Sequence, residues 1–470
     1  MTKYYKQLES FSLPDSAVRW AVDAIPTNGK LMIVNGTEIL REEKPRSHKF
    51  ERIASLATDP PGVLRISPSS VKAAIVSAAG NSLLVFDPQN GNILSTISAT
   101  AGNFFFDAEW YDDSVLAVTE AVSGEGPTVK LLNLTENRSK VVLRNIGGAS
   151  GGVTFSQDGS MFAGNGLSSE IDDETGLIKV YTQAVWQQAW DDNQPIDFED
   201  QTIGVAVANL LSGAYLGFDR FDNFHVGGGD VVNSTPDNNY AAIIFQATLE
   251  NIFINRSTLV TTLSPRLPQD TAGVWQKIDP DSEDLDPDSE ANNMAWLVHA
   301  NRLTGELLLT SFEDAKTLYD YALVNEEIQN GMREVLFEVN YQLGDNPGFY
   351  PSAFVGFDLM IPLPLPELSS FAGDLVLLIE TQYMETFNGQ SRHPVSLEGI
   401  AIGNLEDPQN QSDNEKFSFN ISRVTLETVV AAARSASPKR SPILAIKCQQ
   451  LPSGLSDDFI FRKYGYRVNN

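Results

Sequence analysis

The sequence has a single cysteine among its 470 residues, Cys448, so no intrachain disulfide can form. Stability must therefore come from packing, and a buried thiol in an alternating strand is the simplest interpretation of Cys448. Histidine is also scarce: there are four, and no two stand two or four positions apart. This spacing excludes an HExxH zinc motif. The sequence also lacks C-x-x-C, P-loop and complete G-x-G-x-x-G patterns.

Positive charge is in short supply. Lysine and arginine number 33 against 61 aspartate and glutamate residues, giving a net charge of −28 and a sequence pI near 4.4. A surface of this sign repels phosphate backbones and anionic lipid headgroups, so we do not expect nucleic acid as a partner. No segment approaches the ~18 apolar residues of a membrane-spanning helix, and the first twenty residues lack the apolar core of an export signal. We therefore expect neither membrane insertion nor signal-dependent export.

Turn-forming residues are plentiful, with 34 glycines and 24 prolines beside 42% hydrophobic residues. This composition is typical of a globular chain with many turns. Because 470 residues exceed one ordinary core, we expect two domains, one of them large and all-β.

Three consecutive units of one plan follow each other along the chain, each reading as short strands separated by polar turns. They are Val63–Ile97, Phe104–Leu143 and Gly151–Trp190. Aligned on the third strand of each unit, Asp87, Asn133 and Thr182 are 46 and 49 residues apart. This spacing is that of a four-stranded blade with its connections. Each unit has two apolar faces and cannot bury both alone, so such units stack around an axis.

Short segments within these units carry a resemblance. Ser67-Pro68-Ser69 and Phe155-Ser-Gln-Asp-Gly159 resemble the FSPDG turn of WD40-like and YVTN-like β-propellers, and Leu83-Leu-Val-Phe-Asp87 resembles their third strand. No Gly-His or Trp-Asp pair stands where a strict WD40 repeat has one. The resemblance therefore implies the general β-propeller class.

Weaker units flank these three and fit a ring of six or seven blades. One lies upstream at Val18–Leu40, and two lie downstream at Tyr215–Phe245 and Met294–Thr310. We therefore predict a propeller over residues 17–328. Residues 1–16 precede the blade pattern and are expected to form an arm or the strand that closes the ring.

A second domain is predicted over residues 331–470, where longer strands alternate apolar and polar residues, as in Val335–Leu343 and Leu375–Tyr383. Only residues 424–435 have apolar positions at helical spacing. The proline run Ile361–Pro366 is expected to run extended between strands without ladder pairing. These features predict a compact β-sandwich or jelly roll.

The tail Ser441–Asp458, followed by Phe459–Val468, resembles the closing hairpin of jelly-roll modules in bacteriophage virion proteins. In those modules a strand of the type LLLFRIER leads through an acidic DPADT loop into a last strand ending near GVRIEY. This chain has PSGLSDD in place of that loop. The resemblance implies a non-enzymatic structural or adhesion role on a virion.

The run Asp279–Glu290, DPDSEDLDPDSE, has seven carboxylates in twelve residues. An EF-hand calcium loop has glycine at its sixth position, whereas this run has Asp284 there, and prolines stiffen the run. We therefore predict a solvated acidic loop. The alternative is a Ca²⁺ site with EF-hand-like spacing, and no other cofactor is expected. Its ligands would be Asp279, Asp281, Glu283, Asp286 and Glu290.

Two further patterns have structural and functional interpretations. Gly148-Ala-Ser150-Gly-Gly152 matches G-x-S-x-G, but a propeller strand follows where a nucleophile elbow needs a helix, so chance glycines are favoured. Trp186 and Trp190 suit either a sugar-stacking platform or a core stripe on a short helix. Core packing is favoured for this pair, and the platform is kept as the alternative.

Together these observations predict an all-β protein without enzymatic activity: a six- or seven-bladed β-propeller followed by a β-sandwich or jelly-roll domain. The predicted function is a virion structural protein of a bacterial virus, serving as a decoration, tail or host-attachment component. Its expected partners are other virion subunits, including copies of itself, and a glycan or receptor of the host surface. Two alternatives stay open: a bacterial cytoplasmic propeller that scaffolds proteins, and a propeller hydrolase or lactonase with carboxylates in its central channel.

Overall fold

The predicted all-β architecture is confirmed by a computed structural model of the chain, in which strands predominate and two α-helices occur among the described residues. The structure describes residues 2–13, 20–27, 29–56, 61–122, 126–145, 152–156, 158–167, 176–200, 202–208, 215–218, 224–227, 242–244, 295–301, 304–311, 317–343, 359–382, 392–406, 415–436, 439–447 and 459–469. In this part of the chain, neither helix is long and apolar enough to span a bilayer.

An N-terminal strand, β1 (Thr2–Ser12), precedes three antiparallel sheets that follow the predicted repeat. Blade I comprises β2 (Trp20–Ala24), β3 (Leu31–Asn35), β4 (Glu38–Glu42) and β5 (Phe50–Ser55). Blade II comprises β6 (Pro61–Ile66), β7 (Ala73–Ser77), β8 (Ser82–Phe86) and β9 (Ile93–Ser98). Blade III comprises β10 (Phe104–Trp110), β11 (Val115–Val122), β12 (Gly126–Asn133) and β13 (Arg138–Arg144). The third strands end at or just before Asp87 and Asn133, the positions on which the sequence units align.

Three further sheets continue the series. Blade IV comprises β14 (Val153–Phe155), β15 (Met161–Leu167), β16 (Gly176–Thr182) and, after the helix α1 (Gln183–Asp192) and the short strand β17 (Ile196–Asp197), β18 (Val205–Ala208). Blade V comprises β19 (Tyr215–Phe218), β20 (Phe224–Gly227) and β21 (Ala242–Ile244). Blade VI comprises β22 (Ala295–Ala300), β23 (Leu307–Ser311) and β24 (Thr317–Gln329), with β1 antiparallel to β24. Strand β17 returns to blade III and pairs in parallel with β13.

The first strands of these blades contact one another in a closed cycle of β2, β6, β10, β14, β19, β22 and again β2. Separate apolar cores lie between blades I and II, II and III, III and IV, and VI and I. The sheets of blades I, II and III therefore each bury both faces against their neighbours, as the repeat requires. Within the described residues, six sheets take part in this β-propeller.

The C-terminal part is a sandwich of two four-stranded layers. Its elements are β25 (Met332–Leu343), β26 (Leu359–Pro362), β27 (Ala372–Gln382), β28 (Arg392–Leu397), β29 (Ile400–Glu406), β30 (Glu415–Ile421), α2 (Arg423–Ser435), β31 (Ile443–Ile446) and β32 (Phe459–Asn469), with a 3₁₀ turn at Leu368–Ser370. One layer has the order β25-β32-β27-β30 and the other β26-β31-β28-β29. A shared core joins the two layers and the inner face of α2.

Two expectations for the tail and the proline run are wrong in detail. Strands β31 and β32 lie in opposite layers and do not pair, so the tail is not a closing hairpin. Ile361 and Pro362 belong to β26 and pair with β31, although prolines were expected to prevent ladder pairing. Strand β26 lies at the edge of its sheet, where a residue without an N–H is tolerated.

The predicted boundary near residue 330 falls in a tight turn. Asn330 and Gly331 both have positive φ, +52° and +78°, as a two-residue hairpin between β24 and β25 requires. Strand β24 pairs with β1, with β23 over its first half and with β25 over its second half. Blade VI and one sandwich layer thus form a single eight-stranded sheet. Leu8 of β1 and Val324 of β24 also belong to the sandwich core.

Candidate functional site

The residues of the alternative calcium site lie outside the described part of the chain. They are Asp279, Asp281, Glu283, Asp286 and Glu290. Calcium binding by this run therefore stays a prediction, and Ser150 of the G-x-S-x-G pattern lies outside the described residues as well. Among the residues that the structure does describe, no group of three His, Cys, Asp or Glu side chains is arranged to hold a metal ion.

Trp186 and Trp190 lie one turn apart on α1 in different surroundings. Trp186 is 3% exposed, and its ring packs edge-on against Tyr111 with 4.7 Å between the ring centroids. Trp190 is half-buried, with Arg138 Cζ 5.3 Å and Lys140 Nζ 5.4 Å from its ring centroid. Trp186 is therefore a core residue with no ring face open to a ligand. The two indoles do not form a common sugar-stacking platform.

A group of buried charges marks the place where blade I, blade VI and the sandwich meet. We call it the seam cluster, and its members are Glu9 (β1), Glu42 (β4), Arg46 and His48 (both between β4 and β5), Glu306 (before β23), Asp320 (β24) and Tyr341 (β25). The Arg46 side chain is 7% exposed, and that of Asp320 is 5% exposed. Because charged side chains are almost never buried unless they are paired, the cluster requires a structural explanation.

Arg46 enters the cluster from a strained turn. Residues 44–47 form a β-turn in which the Ser47 N–H donates to the Lys44 carbonyl at 3.0 Å. Pro45 occupies the second position, and Arg46 occupies the third with φ +60°, where a type II turn usually has glycine. An L-residue in this conformation costs roughly 1–2 kcal/mol. The contacts of the Arg46 side chain must offset this cost.

The Arg46 guanidinium contacts three carboxylates and a phenol. Its Nη1 lies 2.8 Å from Asp320 Oδ2 and donates to the Tyr341 hydroxyl at 3.0 Å. The same nitrogen donates to Glu306, and Nη2 donates to Glu9. Tyr341 in turn donates to Glu306. One cation of blade I thus joins β1, blade VI and the first strand of the sandwich.

Glu9 and Asp320 face each other across the β1–β24 ladder. They are direct partners in the antiparallel register, just after a bulge between Gln7 and Glu9. Like charges directly opposite in a sheet repel each other, so this pair needs a cation. Arg46 supplies that cation from blade I. The docking of β1 therefore depends on a residue from the other side of the seam.

His48 and Glu42 form the second half of the cluster. The His48 ring stacks on Phe11 of β1, with 3.9 Å between ring centroids and 6° between ring planes. Its Nε2 lies 3.1 Å from Glu9 Oε1, and its Nδ1 lies 3.5 Å from Glu42 Oε1. Glu42 accepts hydrogen bonds from the backbone N–H groups of Leu31 at 3.1 Å and of His48 at 2.8 Å. This half of the cluster therefore holds the turn and β1 to blade I.

Burial and pairing shift the pKa values of the carboxylates in opposite directions. Burial disfavours the ionised form of Glu9, but Arg46 and His48 together outweigh this effect and hold the pKa of Glu9 at about 2. Burial raises the pKa of Glu42. Burial and the neighbouring Glu306 raise the pKa of Asp320 well above its usual range, although Arg46 opposes them. Glu42 and Asp320 therefore keep their protons to higher pH than ordinary carboxylates do.

A cavity of about 30 Å³ adjoins the cluster, and its walls include Arg46, His48 and Asp320. Among the described residues, Arg46 Nε and Asp320 Oδ1 have no hydrogen-bond partner. The cavity can hold a water molecule and is far smaller than the roughly 150 Å³ cavity that binds benzene in another protein. The cluster thus has room for water but not for an organic substrate. Its arrangement joins structural elements.

A second polar contact recurs between the inner strands of neighbouring blades. Asp107 of β10 accepts the Val153 N–H of blade IV at 3.1 Å, and Asp23 of β2 accepts the Ile66 N–H of blade II at 2.6 Å. Burial raises the pKa of Asp107, although Arg65 lies 3.0 Å away. These aspartates occupy equivalent positions in first strands, so they act as inter-blade hydrogen-bond acceptors.

Sequence patterns do not identify the seam cluster, because its members come from widely separated segments. No sequence pattern assigns a role to Arg46, and the four histidines stand far apart along the chain. The one local signal is Pro45-Arg46 in the turn between two short strands, where a glycine is the usual third residue. That signal indicates strain at Arg46, but it names none of the partners of the side chain.

No protein-family model and no curated protein matches the sequence. Among solved structures, a chain in the crystal structure of a nidogen/laminin complex matches 48% of this chain and 85% of its own length, at 8% identity and a TM-score of 0.33. A chain in the crystal structure of a mitotic checkpoint complex matches 67% of this chain and 91% of its own length, at 9% identity and a TM-score of 0.36. Both likenesses concern the fold alone.

Proposed function

We propose that this chain is a non-enzymatic structural protein of a bacterial virus, displayed on the particle as a decoration, tail or host-attachment component. The observation that carries the proposal is the eight-stranded sheet shared by blade VI and the sandwich. A continuous ladder fixes the orientation of the propeller relative to the sandwich. A module that presents a binding surface at a set angle from a particle needs such a fixed orientation.

The strand order of the sandwich supports a jelly roll. The chain crosses between the two layers at each step except β28 to β29, and its first and last strands, β25 and β32, pair with each other. Eight-stranded double-sheet jelly rolls occur in viral capsid and lectin domains. We therefore assign the sandwich to anchoring on neighbouring virion subunits, including copies of this chain.

The chemistry of the seam cluster supports a structural role. Three of its carboxylates are held by Arg46, and Glu42 is held by backbone N–H groups. The cavity beside them has room only for water. The propeller is the part assigned to binding a glycan or receptor of the host surface, since it lies at the far side of the shared sheet from the sandwich strands β27 and β30.

Particle association tests the proposal. Antibodies raised against the full-length recombinant protein are applied to gradient-purified virus particles from the source culture, with pre-immune serum as the control. We expect the protein to sediment with the particles and immunogold to label their surface. A protein that stays entirely in the soluble host fraction, with unlabelled particles, would contradict the proposal and favour a cytoplasmic scaffold.

A further inference from the structure

We propose that the seam cluster is a proton-operated clasp that holds β1 against β24 and blade I more firmly in mildly acidic than in alkaline solution. The proposal concerns the ring closure of the propeller and does not depend on a location on a virion.

The seam cluster lies where blade VI meets blade I, so its charges act directly on the closure of the propeller ring. Its cation stands on blade I, whereas its anions Glu9 and Asp320 stand on the two strands that pair at the outer side of blade VI. The apolar contact beneath it includes Phe11 of β1, Leu31 of blade I and Leu318 of β24. A change in the charge of the cluster therefore acts on the same seam that this apolar core closes.

The charge of the cluster is out of balance when every carboxyl is ionised. One guanidinium then stands among four carboxylates, Glu9, Glu42, Glu306 and Asp320, and Lys30 beside Glu42 does not restore the balance. Like charges in a poorly solvated site repel strongly, so protons must neutralise part of this excess.

The groups that face the two proton-holding carboxyls come from several elements. Asp320 faces Glu9 of β1, Arg46, Glu306, Tyr341 of β25 and Tyr464 of β32, and Glu42 faces His48, Arg46 and Lys30. Arg46 and Lys30 are the arginine and lysine side chains among these groups, and burial lowers the pKa of Lys30. The negative groups outnumber them, which favours retention of protons at Asp320 and Glu42.

The direction of the pH effect follows from these pKa shifts. The raised pKa values of Asp320 and Glu42 give stability that is complete below about pH 4, the ordinary carboxyl range, and is lost as the pH rises through the raised values. Glu9, with a pKa of about 2, gives stability that is complete above about pH 4 and is lost as the pH falls towards 2. The clasp is therefore firmest in mild acid.

The turn strain adds to this response. Arg46 and His48 have φ values of +60° and +51°. This backbone conformation costs free energy as long as the turn keeps its folded form, even when the two side chains have lost their contacts with the carboxylates. When deprotonation weakens the clasp, relaxation of the turn favours opening. The expected opened form has β1 released from β24 while blades II and III stay paired.

Hydrogen exchange of the full-length protein between pH 5 and pH 8 tests the proposal. Exchange in β1 is corrected for the intrinsic pH dependence of amide exchange and referred to β7 in blade II. We expect the protection of β1 to fall about tenfold or more relative to β7 over this range, because one carboxyl can change an opening equilibrium up to tenfold per pH unit.

Two variants and a matched control assign the effect. Asp320→Asn removes a titrating carboxyl without changing the size of the side chain, so it should reduce the pH-dependent loss of β1 protection at least threefold. The control is Glu51→Gln at an exposed position on blade I, which should leave that loss unchanged. If Asp320→Asn does not fold, Glu42→Gln takes its place with the same expected reduction. A wild-type protein whose β1 protection does not change with pH would overturn the clasp. An equal pH-dependent loss in wild type and the folded carboxyl variant would overturn it as well.

Discussion

Replacing Arg46 by alanine is the most informative perturbation of the seam. The substitution leaves Glu9, Glu306 and Asp320 without their cation, and removing one partner of a buried ion pair typically costs 3–5 kcal/mol. For 470 residues, an unfolding entropy of about 2.1 cal/mol/K per residue means that 1 kcal/mol shifts Tm by about 1 °C if the chain unfolds as one unit. We therefore expect Arg46→Ala to lower Tm by about 3–5 °C at pH 7.

Two companion variants separate charge from backbone strain. Arg41→Ala removes an exposed pair with Glu51 on the same blade and should lower Tm by no more than about 1 °C. Arg46→Gly removes the same charge, but glycine adopts the positive φ of position 46 without strain. The Tm of this variant should therefore be about 1 °C higher than that of Arg46→Ala. The assay is thermal unfolding followed by circular dichroism. Equal shifts for Arg46→Ala and Arg41→Ala would refute the assignment of Arg46 as the ionic centre of the seam.

Two further outcomes can be checked in the same assay. Asp107→Ala leaves the Val153 N–H without its acceptor and Arg65 without its nearest carboxylate. We therefore expect this substitution to lower Tm by about 2–4 °C. A shift below about 1 °C would show that the inter-blade acceptor is dispensable. If run 279–290 is solvated, millimolar Ca²⁺ should shift Tm by less than about 1 °C. A site that binds Ca²⁺ only in the folded state would instead add about 2.7 kcal/mol of stability at a hundred times its Kd. A larger shift that disappears when the aspartates of the run are replaced by asparagine would instead establish a calcium site.

The blades were predictable because their determinants are local. Alternation of apolar residues, Asn-Gly and Asp-Gly turns and a constant repeat length are properties of short segments, so blades II and III follow the predicted units closely. The units predicted for blades I and IV are incomplete, because their fourth strands, Phe50–Ser55 and Val205–Ala208, lie beyond the predicted ends. The helix over residues 424–435 was visible for the same reason, and the structure places it at Arg423–Ser435. The pattern also separated the long strands of the sandwich from the short strands of the blades.

The junction was not predictable because it depends on pairing between distant segments. A change of pattern near residue 330 suggests a domain boundary, yet Asn330-Gly331 forms a hairpin that carries one sheet from blade VI into the sandwich. Likewise, no local pattern pairs Glu9 with Asp320 or brings Arg46 to both. The sequence shows which residues carry charge, whereas the register of β1 on β24 decides which charges meet.

The fixed orientation of the propeller on the sandwich is the central claim, and a distance distribution between the two parts tests it most directly. Spin labels are placed at Glu51→Cys on blade I and Val424→Cys on α2, both exposed positions, in a Cys448→Ser background. Double electron–electron resonance should then give one narrow distance distribution, whose width matches that of a label pair within the propeller. A broad or multimodal distribution would show that the two parts move independently and that the shared sheet does not join them.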